Sequence, residues 1–389
     1  MKIWIVNHYA VPPTVPGGTR HYTLAHELIR RGHEVTIIAS NFNHGTHQNT
    51  SNLDQNYRYE VIQEVPFLWI HTPPYTGNTV GRVRNMMTFA MRALSPKATR
   101  QLEKPDVIIG SSQHMLAVLS AELLARRYKI PFVFEVRDLM PQTLIDVMGM
   151  SPRHPLIWML EKLEKYLYRR AARIISLLPG AVEHIAGKGI EAGKVIWIPN
   201  GIELNSAPAP QRPTKNDVFT VLYAGAHGKA NALDSIIDTA AVLQREASQT
   251  KVEFRFIGDG PEKIRLCHRV QLEALENVVF EDAIPKEQIN NRLQNADAFI
   301  VTLKNLSLYR WGVSLNKLFD YLAAARPVVF GAESSNNPVA EAEAGIVVFP
   351  EDAKAMAKAI LQLVALSPAD RWEMGLRGRR YVEEHHDFV

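Results

Sequence analysis

Between Trp311 and Val329 the chain reads WGVSLNKLFDYLAAARPVV, and its polar residues are spaced to hold a phosphate and a sugar. Leu315, Leu318, Phe319 and Leu322 recur at i, i+3, i+4 and i+7, the period of a short helix with one apolar face. Ser314 stands at the expected N-cap, and Arg326-Pro327 ends the helix before the strand-like Val328-Val329-Phe330. The amides after Ser314 would then be the unpaired donors of a helix start, which favour an anion. Asn316 and Asp320 are four apart on the face not used for packing. A phosphate on these amides and on Lys317, with a sugar hydroxyl on Asp320, fits this spacing. A capped helix with a solvated polar face fits it too.

Other stretches carry weaker signals of the same kind. Gly17-Gly18 closes the long loop His8–Gly18 where it enters a helix bearing Leu24, Leu28 and Ile29, so bare backbone there could approach a ligand. It lacks the third glycine of G-x-G-x-x-G, and a flexible loop is the alternative. The strand Phe132–Glu135 runs into Arg137 and Asp138, at the edge where parallel sheets bind ligands; a local salt bridge would also suit them. In the second half, Phe219–Tyr223 leads to Gly225-Ala226-His227-Gly228, and Phe254–Ile257 to Gly258-Asp259-Gly260-Pro261. Val80–Lys104 mixes Arg82, Arg84, Arg92 and Arg100 with Val83, Met86, Met87, Phe89 and Met91. Such a helix suits an anionic bilayer, or packs its apolar stripe on its own sheet and solvates its arginines.

The elements that must position these residues are βα units. Ile3–Val6, a helix and Val35–Ala39 open a parallel sheet, continued by Val107–Gly110, Phe132–Glu135, Ile174–Leu177 and Val195–Ile198. His154–Arg170 reads as a helix with Trp158, Leu160, Leu163 and Leu167 on one side. The proline-rich stretch that ends at Asp217 interrupts the pattern, and a second set of βα units follows. The expected organisation is a first domain over 1–199, a linker over 200–217 and a second domain over 218–369, with the terminal helix 370–389 packing back on the first domain. The polar stretch Asn41–Asn56 reads as a mobile loop at the top of the first sheet.

Lys and Arg number 44 against 40 Asp and Glu, a mild net charge of +4 that suits an anionic surface but not a nucleic-acid binder. The single Cys267 excludes an internal disulfide and fits a reducing compartment. No signal peptide or spanning segment is legible, so the expectation is a cytoplasmic protein, at most peripheral at the inner face of the cell membrane. No D-x-D occurs, the histidines lack zinc-site spacing, and Walker A and G-x-S-x-G signatures are missing. No metal or other cofactor is expected.

Six segments in order, PGGTRHYTLAHELIRRGHEVTII, FEVRDLMPQTL, WIPNGIE, YAGAHGKANALDSIIDTA, IGDGP and GVSLNKLFDYLAAARPVVF, resemble a family-four, GT-B-type glycosyltransferase. More narrowly they resemble the bacterial fucosamine-type transferases of O-antigen and capsule polysaccharide synthesis. The resemblance implies an α/β protein of GT-B fold, with two Rossmann-like domains facing a central cleft. Asp320 matches the second acid of the family's E-x7-E motif, which holds the donor ribose, while the first acid falls on Gly312. The family's phosphate-binding Arg and Lys fall on Ala226 and Asn231, leaving Lys317, with Lys229, to supply charge. Gly17 and Gly18 match the loop that approaches the donor phosphates. The frequent His-Asp pair is Arg137-Asp138 here.

The implied donor site therefore comprises Gly17, Gly18, His227, Lys229, Gly258, Gly260, Ser314, Asn316, Lys317 and Asp320, with Lys317, Arg137 and Asp138 closest to the chemistry. The implied partners are a nucleoside-diphosphate sugar, UDP-linked, and a polyprenyl-diphosphate saccharide at the inner leaflet, with Arg82, Arg84, Arg92 and Arg100 facing acceptor and membrane. The implied reaction is metal-independent hexosyl or N-acetylhexosaminyl transfer with retention. A nucleotide-sugar 2-epimerase of the same fold, and a catalytically silent homologue that only binds, are the alternatives.

Overall fold

The computed structural model describes all residues except 16, 45, 50–54, 78, 79, 205–208, 213–216, 247–250 and 389, together with the side chains of 286 and 287. Part of the polar segment 41–56 and part of the expected linker 200–217 therefore lie outside the described residues. The chain divides into two compact units, Met1–Pro199 and Asn200–Val389.

The first unit is built on eight strands: β1 (Lys2–Val6), β2 (Glu34–Ser40), β3 (Tyr57–Ile62), β4 (Val65–Ile70), β5 (Val107–Ser111), β6 (Phe132–Val136), β7 (Arg173–Ser176) and β8 (Val195–Trp197). Their order is β8-β7-β6-β5-β1-β2-β4-β3. All neighbours are parallel except β3 and β4, which form an antiparallel hairpin. Apolar runs such as Ile3–Val6 bury both faces, as strands of a covered parallel sheet must. The helices used below are α1 (Arg20–Arg30), α2 (Val80–Ala93), α3 (Met115–Tyr128) and α4 (Pro155–Arg170). Because β2 lies on one side of β1 and β5 on the other, the direction of winding reverses between β1 and β5.

The hairpin β3–β4 is absent from the sequence reading. Its turn, Gln63-Glu64, has φ of 44° and 71° without the Gly or Asn that normally marks such a turn, and Pro66 argues against a strand. Of the side of α4 expected to pack, Leu167 is buried and Leu160 and Leu163 are half-buried, but Trp158 is exposed; Ile157 and Tyr168 complete the buried face.

In the second unit the strands are β9 (Val218–Ala224), β10 (Lys251–Ile257), β11 (Val278–Glu281), β12 (Ala298–Thr302), β13 (Val328–Gly331) and β14 (Gly345–Val348). They form one parallel sheet in the order β11-β10-β9-β12-β13-β14, so the switch falls between β9 and β12. Helices α5 (Leu233–Arg245), α6 (Asn316–Ala323) and α7 (Pro368–His385) complete the elements that matter here. Successive side chains of β9 alternate between faces: Leu222 and Ala224 join the core with α6, Val221 and Tyr223 the core with α5.

The terminal helix α7 belongs by its contacts to this second unit. Gly375 and Gly378 bring it onto the end of α6: a Cβ at Gly375 would stand 2.1 Å from the Ala325 carbonyl oxygen, and one at Gly378 2.8 Å from Leu322. Val382 is fully buried in the same core. Gly375→Ala is accordingly expected to destabilise the protein by about 1–3 kcal/mol through forced separation of the two helices. A lower urea midpoint with unchanged slope would show it, and an unchanged midpoint would refute the close approach.

Candidate functional site

The second sheet's switch point holds the clearest arrangement. Tyr321 on α6 is buried, and its hydroxyl accepts a hydrogen bond from the Ala224 amide (2.6 Å) and donates to the Ala224 carbonyl (2.9 Å). This pair of hydrogen bonds to the last residue of β9 sets the position of α6. One turn earlier, Lys317 reaches over the loop that follows β9. Its Nζ donates to the Tyr223 hydroxyl (2.8 Å) and to Asn231 Oδ1 (2.7 Å), and lies 4.5 Å from the Tyr223 ring centroid. Tyr223 and Asn231 in turn both donate to the Ala226 carbonyl, at 2.8 and 2.9 Å. A Cβ on Gly225 would come within 3.2 Å of the ammonium, so only glycine leaves that edge of the loop bare. Burial pulls the Lys317 ammonium down to about 7. Its partners are neutral oxygens, and among the described residues no carboxylate pairs with it.

The two glycine loops pack backbone against backbone. Gly258 (φ 148°) and Gly260 (φ 155°) lie where a Cβ would meet the Gly225 carbonyl oxygen at 2.0 Å and the His227 carbonyl oxygen at 2.5 Å. His227 is fully buried, with neither ring nitrogen hydrogen-bonded, and burial holds its pKa down at about 4. It is a neutral prop beneath the loops rather than a cationic ligand. Lys229 is exposed on the short turn Lys229–Asn231.

Two expectations for the helix start change. The N-cap of α6 is Leu315, with no side-chain cap. Ser314 faces the other way: its hydroxyl accepts from the Asn200 amide (2.8 Å) and its carbonyl from Asn200 Nδ2 (2.6 Å), so it anchors the chain entering the second unit. Asn316 and Asp320 are half-buried on the polar side of α6. Gly312 takes φ 110°, and the adjacent Val313 is fixed by Asn336 on both its amide and its carbonyl.

In the first unit, the start of α1 and the ends of β5 and β6 bring together residues far apart in sequence. Glu135 accepts from Arg20 Nε (2.9 Å), from His21 Nε2 (2.7 Å) and from the Ser111 hydroxyl (2.6 Å), all buried. Burial opposes the charge of Glu135, but Arg20, His21 and Ser111 outweigh it and hold the carboxyl well below the usual range. Burial lowers the pKa of His21, so it serves as a neutral Nε2–H donor to an ionised Glu135. The remaining Arg20 nitrogens donate to the carbonyls of Pro199 (2.6 Å) and Ile198 (3.0 Å), where the unit ends. Arg137 donates its amide to Ser112 Oγ (2.9 Å), and its buried Nε has no partner. Arg137 and Asp138 are half-buried and form no ion pair with each other, so the local salt bridge is not what holds this loop.

Beside them, at the β1/β5 switch, His8 and His114 face each other through their Nδ1 atoms at 3.0 Å, and His8 is stacked between Tyr9 and Phe89. Burial, and then the charges of neighbouring groups including Arg82, keep both rings neutral, His114 at about 3. Gly17 (φ 152°) packs on Val11 just ahead of α1, with Gly18 following it. Of the four arginines assigned to acceptor and membrane, Arg84 and Arg100 are exposed. Arg82 turns toward the imidazoles, and Arg92 donates to the His71 carbonyl. The outward side of α2 carries Val80, Val83, Met87 and Met91 instead.

Sequence reasoning missed Tyr223 and Tyr321, which read as core aromatics, and the pairing of Arg20 and His21 with Glu135. A polar run RH just after PGG was the available signal for the latter. Among the described residues no group of three or more His, Cys, Asp or Glu is arranged to hold a metal ion, and no helix is long and apolar enough to cross a membrane.

Known proteins share the family and the fold of this chain. Residues 17–201 match the Glycosyl transferase 4-like domain and residues 218–365 the Glycosyl transferases group 1 family. A relative, the probable glycosyltransferase WbjE of Pseudomonas aeruginosa, is 23% identical over 289 residues, 70% of this chain and 69% of that protein. Among solved structures, sucrose-phosphate synthase of Thermosynechococcus elongatus superimposes with a TM-score of 0.78 at 18% identity, covering 100% of this chain and 95% of the other. Anabaena HepE in complex with UDP and glucose gives 0.68 at 15%, covering 100% and 96%. The chain belongs to the glycosyltransferases of GT-B fold.

If Lys317 is the group that holds a donor diphosphate, its protonation state makes that binding pH-dependent. The ammonium is the form that attracts a diphosphate, so affinity for UDP-glucose, whose diphosphate does not titrate nearby, is expected to be flat below about pH 7. Above it, affinity should fall by up to about tenfold per pH unit, with proton uptake on binding. Calorimetry at pH 7–9 in buffers of differing ionisation enthalpy reads both quantities. An affinity independent of pH over that interval would exclude Lys317 from the binding site.

Proposed function

We propose that this glycosyltransferase takes its sugar from a nucleoside-diphosphate donor, UDP-linked, and passes it with retention to a lipid-linked saccharide in surface polysaccharide synthesis. The observation that carries the reading is Lys317. It is a half-buried ammonium at a sheet switch point, beside a bare glycine edge, held by neutral oxygens and, among the described residues, paired with no carboxylate. A desolvated cation so placed awaits an anion. The complex of HepE with UDP supports uridine as the base.

In the reaction, the bond from the anomeric carbon to the diphosphate oxygen breaks and a bond to the acceptor oxygen forms on the same face. The acceptor proton passes to the departing phosphate oxygen. Lys317 and the first amides of α6 stabilise the charge that develops on the diphosphate. Asp320 accepts from the ribose hydroxyls, Arg137 adds positive charge, and Asp138 orients the sugar. No divalent ion is required. The transferred sugar is an N-acetylated amino sugar, on the resemblance to the fucosamine-type enzymes.

The lipid acceptor and contact with the inner leaflet rest on α2. Its outward stripe of Val80, Val83, Met87 and Met91 beside Arg84 is a reversible membrane contact, and it replaces the four-arginine face expected from sequence.

Screening nucleoside-diphosphate sugars for thermal stabilisation identifies the donor, and mass spectrometry of a polyprenyl-diphosphate saccharide then reads transfer. Lys317→Ala is expected to weaken donor binding about ten- to hundredfold, and EDTA should leave transfer intact. An absolute need for magnesium or manganese, or release of an epimerised free sugar in place of a glycosylated lipid, would overturn the reading.

A further inference from the structure

The outer side of α4 leaves large apolar groups in water that the glycosyl-transfer chemistry does not use. Trp158 is 58% exposed, Met159 52% and Tyr166 37%. Trp158, Lys162 and Tyr166 are four residues apart, and Met159 lies beside them, so they form one stripe along the helix. The Lys162 ammonium sits 3.6 Å from the centroid of the Trp158 ring.

The charge around this stripe is one-sided. Lys162 and Arg169 on α4 and Arg126 and Arg127 on α3 are exposed. The acids that could offset them point inward: Glu164 is buried and bonded to Tyr168 and Lys188, and Glu122 on α3 is buried and paired with Arg170. Glu161 is the one exposed acid of α4. Helix α3 lies between α2 and α4, packing on both, so all three form one layer on the same side of the first sheet.

We propose that the outer face of α4 is a second membrane-docking surface, with Trp158 and Met159 entering the headgroup–acyl boundary of an anionic bilayer. The chemistry selects lipid over protein. An indole and a thioether beside Lys162, on a helix layer whose exposed charge is mainly basic, are the groups of an interfacial helix. A second copy of this chain meeting the same face by two-fold symmetry would set these cations against each other. The inference builds on the membrane contact assigned to α2, and extends it to the far edge of the same layer.

Flotation of the full chain with phosphatidylglycerol–phosphatidylethanolamine vesicles, with phosphatidylcholine vesicles as the neutral control, tests this. Wild type is expected to bind the anionic vesicles and to be released by salt, and the triple variant Trp158→Ser, Met159→Ser, Lys162→Ser to bind roughly tenfold more weakly. In a Trp197→Phe background, which silences the other well-exposed indole, brominated acyl chains should quench fluorescence, and Trp158→Phe should remove most of that quenching. The triple variant should keep the circular-dichroism spectrum and melting temperature of wild type, which shows that it is folded. Vesicle binding equal to wild type, or quenching unchanged by Trp158→Phe, would overturn the proposal. So would a wild-type dimer in sedimentation that the triple variant abolishes. Binding that fails only in a Val83→Ser, Met87→Ser, Met91→Ser variant would leave α2 as the contact and exclude α4. Absence of transfer with every donor would sink the glycosyl-transfer reading without touching the vesicle result.

Discussion

The second unit depends on the hydroxyl of Tyr321. It saturates both backbone groups of Ala224, the last residue of β9, from inside the apolar layer between α6 and the sheet. Each hydrogen bond adds only about 1 kcal/mol net, but a buried amide and carbonyl left without partners would cost more, so few other placements of α6 satisfy the strand end. Stacking of the same ring on Phe299, with centroids 4.2 Å apart, fixes the helix laterally as well. Lys317 follows from this, since one helical turn separates it from Tyr321 and its stem has a single loop to cross.

The two units solve one geometric problem with opposite electrostatics. Each places its polar residues where strand order reverses. The second leaves a cation paired only with neutral groups at that point. The first satisfies its buried carboxylate internally: Glu135 is held by Arg20, His21 and Ser111, and the imidazoles of His8 and His114 are uncharged. A buried ion pair of this sort fixes geometry more than it adds stability. Here the geometry fixed is the end of the unit, because Arg20 also holds the carbonyls of Ile198 and Pro199.

Much of this was legible in the sequence wherever the information is local. The βα rhythm and the helix at Asn316–Ala323 follow from the periodicity of neighbouring residues. What was hidden is what depends on distant partners. Ser314 has the composition of an N-cap, yet its hydroxyl is claimed by Asn200. Trp158 fits an apolar periodicity, yet the face that packs is the one carrying Ile157, Leu167 and Tyr168. Arg20 and Glu135 gave no sign of each other across their separation in the chain. The hairpin β3–β4 escaped because its turn takes left-handed φ without glycine and its second strand contains proline.

That hairpin also bears on how the protein stays dispersed. A parallel sheet of buried apolar strands needs an edge that does not invite further pairing. At its β3 side the first sheet ends in an antiparallel strand whose exposed positions include Arg58 and Tyr59, with Arg58 ion-paired to Glu60 at 3.5 Å. A neighbouring molecule adding a strand there would have to strip water from those charges before gaining any backbone hydrogen bond. The antiparallel edge therefore acts as a barrier to aggregation.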